Sequence, residues 1–254
     1  MIRTGCVRDW PDPRDFVYRP PPGALFGQGD VDLREYMPPI RDQIAENCTG
    51  HAVAAQVWAY HAVRGRKPPE YSTIWPWTNG RICSGAMPLL NSGTNLRSVY
   101  KGMSGQTVRD QRGILTGLGM VSEADWPEVE ANINAIPPED LYREGGDDTI
   151  GPYARLPEGI DALAAIDAAL DAKMPVTACL VVDMAFANIG QQVYHGPDGS
   201  EVLGGHATLI VGRVAAANAY RLRNSWSLNF GVDGYCLIDR GTVANHVYDI
   251  WGLL

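Results

Sequence analysis

The sequence predicts an α+β chain of two lobes, mainly helical in its first half and mainly β in its second. Helix formers at helical spacing mark the stretches before residue 172. After it come apolar runs cut by Gly and Asp turns. No internal repeat interrupts that division.

Residues 1–30 read as an N-terminal arm, and residues 31–254 as one domain. The segment 9–30, DWPDPRDFVYRPPPGALFGQGD, is rich in Pro and Gly and should run irregular or extended. Residues 48–60, CTGHAVAAQVWAY, predict a helix with Asn47 as its N-cap. Its early turns carry Gly50, Ala52, Ala54 and Ala55, as a central helix packed on several sides requires. A weaker amphipathic helix is expected over 105–116, with Gly117 and Gly119 as stop signals. A clearer one is expected over 158–172, with Ile160, Leu163, Ile166 and Leu170 at helical spacing. Residues 175–186, 206–214, 219–226 and 234–239 read as strands. In the third, Tyr220, Leu222 and Asn224 alternate with Arg221, Arg223 and Ser225, the pattern of a half-buried strand.

Charged residues make up 20% of the chain, and the formal net charge of −8 comes without a long basic run. That argues against nucleic acid or an anionic membrane as the main partner. No apolar stretch approaches the ~20 residues needed to cross a bilayer, and MIRTGCVRDWPDPRD has no apolar segment resembling a secretory signal. A cytoplasmic location is the expectation. The five cysteines are Cys6, Cys48, Cys83, Cys179 and Cys236, with no Cys-x-x-Cys pair. Cys179 and Cys236 lie in apolar strand-like runs and are expected as reduced, buried thiols. With Cys48 set aside, the other four could pair in three ways, which the sequence does not separate. A reduced, disulfide-free chain is the expectation.

The first turn of a helix favours a thiolate, so Cys48 is placed as a nucleophile would be. Such a thiol needs a base and the base an orienter. Of His51, His61, His195, His206 and His246, His206 stands apart. In LGGHATLIVG it opens an apolar strand after two glycines that let another backbone approach closely. Asn224, in RLRNSWS, lies on the next strand, and a hairpin pairing the two would bring it beside His206. His51 stands in a Cys-x-x-His spacing with Cys48, but no second pair of ligands follows at a metal-binding spacing. LTGLGMV lacks the strand-then-helix setting of a nucleotide loop.

Three segments together resemble the papain-like cysteine peptidases: VDLREYMPPIRDQIAENCTGHA, GGHATLIVG and LRNSWSLNFGVDGYCLI. They cover roughly residues 31–240 in the family's order of Cys, His, Asn. His206 and Asn224 follow Cys48 at somewhat more than the ~130–150 residues usual there, which a loop insertion accommodates. The resemblance implies a helical N-terminal lobe and a β-barrel-like C-terminal lobe with the active site between them. It implies Cys48 as nucleophile, His206 as general base and then acid, and Asn224 as orienter. Gln43, with the backbone N–H of Cys48, would form the oxyanion hole. Trp226 would shield the Asn–His bond. Ser104 and Gly105, in KGMSGQTVRD, resemble the short stretch that pairs with an extended substrate, and Gly205 would line the same cleft. No metal or organic cofactor is implied, and the substrates would be peptides or proteins.

The departures from the family pattern are specific. Gln43 precedes Cys48 by five residues where the family has six, and Ile44 replaces the glycine that follows the Gln. Thr49 replaces the usual Trp, as in bacterial and viral members. Ala45 replaces the cysteine of a family disulfide. The segment before Val31 is too short for the long inhibitory propeptide, leaving open whether this arm wraps the body or plugs the cleft. Three functions fit these residues: peptide hydrolysis through an acyl-enzyme, acyl or amide transfer by the same thiol, and non-catalytic peptide binding. The intact Cys, His and Asn disfavour the third.

Overall fold

The computed structural model describes residues 2–21, 27, 29–85, 91–104, 108–109, 115–116, 119–145 and 150–254. Strand β1 (Val31–Asp32) leads to helices α1 (Cys48–Val63), α2 (Ile74–Cys83) and α3 (Leu96–Met103). The short strands β2 (Val108–Arg109) and β3 (Leu115–Thr116) form an antiparallel pair, followed by α4 (Glu139–Glu144) and β4 (Tyr153–Arg155). Helix α5 (Ile160–Asp171) precedes β5 (Val176–Asp183), α6 (Met184–Ala187), β6 (Val193–Tyr194) and β7 (Val202–Val214). The chain ends through β8 (Ala219–Arg223), β9 (Tyr235–Asp239), α7 (Arg240–His246) and β10 (Val247–Leu253).

The main sheet runs β4-β10-β5-β7-β8-β9-β6, with β1 also pairing with β7. Among the described strands of this sheet, β6 and β9 are the pair that runs parallel. The sheet ends at β4 and β6 without closing, so the expected barrel-like lobe is an open sheet. Two apolar cores lie beside it. One gathers α1, α2 and α3 around Trp75, Trp77, Tyr100, Met103 and Trp251. The other packs α5 and α7 on the sheet through Ile166, Leu170, Leu180, Ile210, Tyr220 and Ile238.

Helix α1 is the central helix its small residues predict, buried on all sides through most of its length. A Cβ at Gly50 would lie 2.0 Å from the Thr73 carbonyl oxygen, so only glycine lets α2 come this near. Asn47 takes the N-cap position but caps nothing with its side chain, whose amide donates instead to Glu128 Oε1 at 2.6 Å.

Three further sequence expectations change. Most of the helix expected over 105–116 lies outside the described residues, and those described within it are strand residues of β2 and β3. In α5 the buried stripe is Ala162, Ala165, Ile166, Ala169 and Leu170, while Ile160 is 73% exposed at the helix start. Most consequentially, the chain is not disulfide-free. Cys6 and Cys179 are bonded, while Cys48, Cys83 and Cys236 form no disulfide. Cys179 does lie in a buried strand, but the arm brings Cys6 to it across 173 residues of sequence.

The arm lies along the body. Its residues Phe16 and Tyr18 exchange backbone hydrogen bonds with Arg155, and Arg97 pairs with Asp9 at 2.6 Å and Asp15 at 2.7 Å. Gly29 accepts a hydrogen bond from Arg213 Nε, which leads the chain into β1.

Candidate active site

Cys48 opens α1 within the first of the two cores and is wholly buried. Its Sγ accepts the backbone N–H of Ala207 at 3.4 Å, and the amides of Thr49, Cys48 and Gly5 also face it. The last of these belongs to the N-terminal arm.

His206 enters from the sheet. The β7–β8 ladder, with Leu209 opposite Arg223, carries Asn224 back to His206 as the predicted hairpin requires. His206 Nε2 donates to Asn224 Oδ1 at 2.7 Å. Trp226 stacks on the imidazole with ring centres 4.3 Å apart, and Phe186 and Phe230 back the indole. Both partners of the His–Asn bond are buried beneath this aromatic cover. His206 Nδ1 is buried without a hydrogen-bond partner. An imidazole fixed at Nε2 with a bare Nδ1 is ready to exchange a proton with a thiol.

The cleft is filled by the arm. Gly5 N and Cys6 N both donate to Gly205 O at 2.9 Å. On the opposite wall Thr94 N donates to Gly5 O at 2.9 Å and Val7 N donates to Thr94 O at 3.0 Å. Trp226 Nε1 donates to Arg3 O at 3.0 Å. The two walls leave no room for side chains. A Cβ at Gly205 would lie 2.1 Å from Cys6 O, and one at Gly93 would lie 2.1 Å from Gly5 O.

Known proteins arrange themselves around this geometry. A family model described as papain family cysteine protease matches residues 143–250, which hold His206 and Asn224. The solved structure of xylellain, a cysteine protease from Xylella fastidiosa, superposes with a TM-score of 0.82 at 25% identity, covering 98% of this chain and 95% of that one. Over its length the chain has the papain-like fold, and its residues 143–250 match the papain family cysteine protease model. Two more distant structures share the fold. Digestive procathepsin L 3 of Tenebrio molitor has a TM-score of 0.72 at 17% identity, covering 99% of this chain and 76% of that one. Bromelain from Ananas comosus, in complex with the E64 inhibitor, has a TM-score of 0.66 at 18% identity, covering 90% and 100%. No curated protein matches the chain significantly.

Beneath the arm neither the thiol nor the imidazole is poised as an ion. Burial pushes the Cys48 thiol up to about 12, against the pull of the surrounding amides. Burial likewise pushes His206 down to about 4, although its bond to Asn224 favours the charged ring. At neutral pH both groups are uncharged while the arm lies over them.

Gln43 sits in the loop before Cys48. Its backbone N–H donates to Ser225 O, its Oε1 accepts from Ser225 Oγ at 2.6 Å, and its Nε2 donates to Ala45 O at 2.8 Å. The loop therefore uses one of the two amide hydrogens internally. Ser104 is not brought to this site. It is exposed at the end of α3, donates its hydroxyl to Lys101 O, and lines a surface cavity of about 410 Å³ with Phe16, Tyr153 and Leu254. Gly105 lies outside the described residues. The glycine-containing stretch at the cleft is Ser92-Gly93-Thr94 instead, just before Asn95, which caps α3 by accepting from Ser98 N. NSGTN carries the same small-residue signal that pointed to Ser104, so composition alone could not separate them.

Sequence reasoning also missed Glu128. Its buried carboxylate accepts from Asn47 Nδ2 and His51 Nε2 at 2.6 and 2.9 Å, and from Ile44 N at 3.3 Å. Its other oxygen takes Thr73 Oγ1 at 2.8 Å and Arg41 Nη2 at 3.0 Å. Four of those five donors lie in the segment 41–51, which carries both Gln43 and Cys48. His51, which the sequence offered as a candidate base or metal ligand, is therefore the partner of a carboxylate.

Proposed function

We propose that this peptidase hydrolyses peptide bonds through Cys48, His206 and Asn224 by way of a thioester, as an endopeptidase acting on extended chains. The observation that carries the reading is His206, fixed by Asn224 beneath Trp226, with its free Nδ1 turned from that bond in the same buried site as the Cys48 thiol. The Cys48 proton passes to His206 Nδ1, and the thiolate attacks the scissile carbonyl carbon. The oxyanion is met by the Cys48 N–H and the remaining Gln43 amide hydrogen. His206 then gives the proton to the leaving amine as the C–N bond breaks. Water, deprotonated by the same imidazole, attacks the thioester, releasing a carboxylic acid and restoring the thiol.

Papain-like proteases bind peptides in a cleft. Here Thr94 and Gly205, whose main chains hold the arm, are the residues that would hold substrate in its place. The arm is then an internal occupant that must leave before substrate enters. The test is hydrolysis of an unfolded protein by the full chain in a thiol-reducing buffer. Cys48→Ala should abolish cleavage, and His206→Ala should lower it by about 10²–10⁴-fold. Undiminished cleavage by Cys48→Ala would overturn the reading. Amide products formed from added amines, with no free acid, would move it to acyl transfer.

A further inference from the structure

We propose that the Cys6–Cys179 disulfide is a redox latch that locks the arm across the cleft, and that a dithiol reductant opens the site by breaking it. The inference rests on the peptidase reading and assigns that site its regulation. Cys6 is the arm residue at which both walls are engaged: its own N–H and that of Gly5 bond to Gly205, and its neighbours bond to Thr94. Its side chain descends to Cys179 on β5, which stands opposite Ala207 in the ladder. Ala207 is the residue whose amide bonds the Cys48 sulfur. The covalent tie is therefore placed one residue from the nucleophile, where the arm is in direct contact with it.

Remove the tie, and residues 2–7 keep no covalent fastening across the cleft. Asp9 and the residues beyond it stay fastened, through Arg97, Arg155 and the bond from Asp9 N to Asp249 Oδ2 at 2.6 Å. The segment over the cleft is then held by neutral hydrogen bonds to Gly205, Thr94 and Trp226, with Thr4 Oγ1 donating to Leu203 O. Segments secured only in this way open locally. A peptide substrate offers the same main-chain groups to the same walls and can compete for them. With the bond intact Cys6, next to the Gly5 amide that faces the nucleophile, is covalently held and the segment cannot swing away.

The chemistry balances as thiol–disulfide exchange. The reductant's two thiols become one disulfide, the Sγ–Sγ bond breaks, and Cys6 and Cys179 each take a proton. Cys48 is neither consumed nor changed. Cys6 is only 6% exposed and Cys179 is fully buried, so release should follow a lag set by slow access of the reductant. In the cytoplasmic setting the sequence suggests, cellular thiols would hold the latch open.

The experiment measures iodoacetamide labelling of Cys48 in the full chain by peptide mapping, with hydrolysis read in parallel. The forms compared are oxidised wild type, wild type reduced with dithiothreitol, and Cys6→Ser and Cys179→Ser without reductant. The expected result is Cys48 labelling at least about tenfold faster in both variants and in the reduced wild type than in the oxidised wild type. Fast labelling in oxidised wild type, or labelling in both variants as slow as in it, would overturn the latch. Fast labelling in the open forms without hydrolysis would leave the latch standing and fail the peptidase reading. Should one variant misfold, the other and the reduced wild type still decide.

Discussion

Replacing Glu128 with alanine tests how the nucleophile's loop is held. The carboxylate is buried and accepts five hydrogen bonds. Burial alone would raise its pKa, but His51, Asn47 and Thr73 hold it down to about 2, from an ordinary 4.5. That displacement corresponds to about 3 kcal/mol of stability at neutral pH. A second route agrees: breaking a buried pair by deleting one partner costs about 3–5 kcal/mol. At about 2–4 °C per kcal/mol for a chain of this size, Glu128→Ala should melt roughly 6–12 °C or more below wild type. Because the folded pKa lies below the unfolded one, the contribution is complete above about pH 4.5 and is lost as pH falls towards 2. Circular dichroism melts at pH 7 and pH 3 provide the assay. The difference between wild type and variant should shrink at the lower pH. Peptide hydrolysis should show kcat falling more than KM rises, since Ile44 and Asn47 flank the Gln43–Cys48 geometry. Melting within about 2 °C of wild type at pH 7 would refute the reasoning.

His206 gives a prediction in acid. Its pKa in the closed form is lowered to about 4 by burial, so the stability of that form should be full above about pH 6.5 and decline as pH drops to 4. Urea unfolding of His206→Asn across that window should show a shallower decline. Gly93→Ala adds a Cβ whose three nearest neighbours all belong to Gly5 of the arm. Its melt should stay within about 1 kcal/mol of wild type in the reduced chain while KM for extended peptides rises about tenfold or more, as measured by steady-state kinetics. Gly50→Ala drives a Cβ to 2.0 Å from Thr73 O between α1 and α2 and should destabilise by about 1–3 kcal/mol or more, as read by denaturant unfolding.

The parts of the fold legible in the sequence are those that local chemistry specifies. The small residues after Cys48 report a helix surrounded by others, and Gly204-Gly205 before His206 report a backbone approached by another backbone. The approaching chain is the arm itself. Tyr220, Leu222 and Asn224 point inward as their alternation predicts, but Arg223 and Ser225 are buried too. Arg223 reaches Pro39 O and Tyr235 Oη from the other face, a cover no strand pattern discloses. The Cys6–Cys179 bond escaped because nothing near either cysteine encodes a partner 173 residues away. Glu128 escaped for the same reason: its partners Asn47 and His51 lie 81 and 77 residues away in the sequence.

The central claim is that Cys48 carries the acyl group. Its most direct measurement is intact-mass spectrometry of the Cys6→Ser chain, acid-quenched while it turns over a p-nitrophenyl ester. The account predicts an adduct of the acyl mass that maps to Cys48, is released by hydroxylamine, and is absent in Cys48→Ala. Turnover that continues with no adduct on Cys48, or with the adduct on another residue, would contradict it.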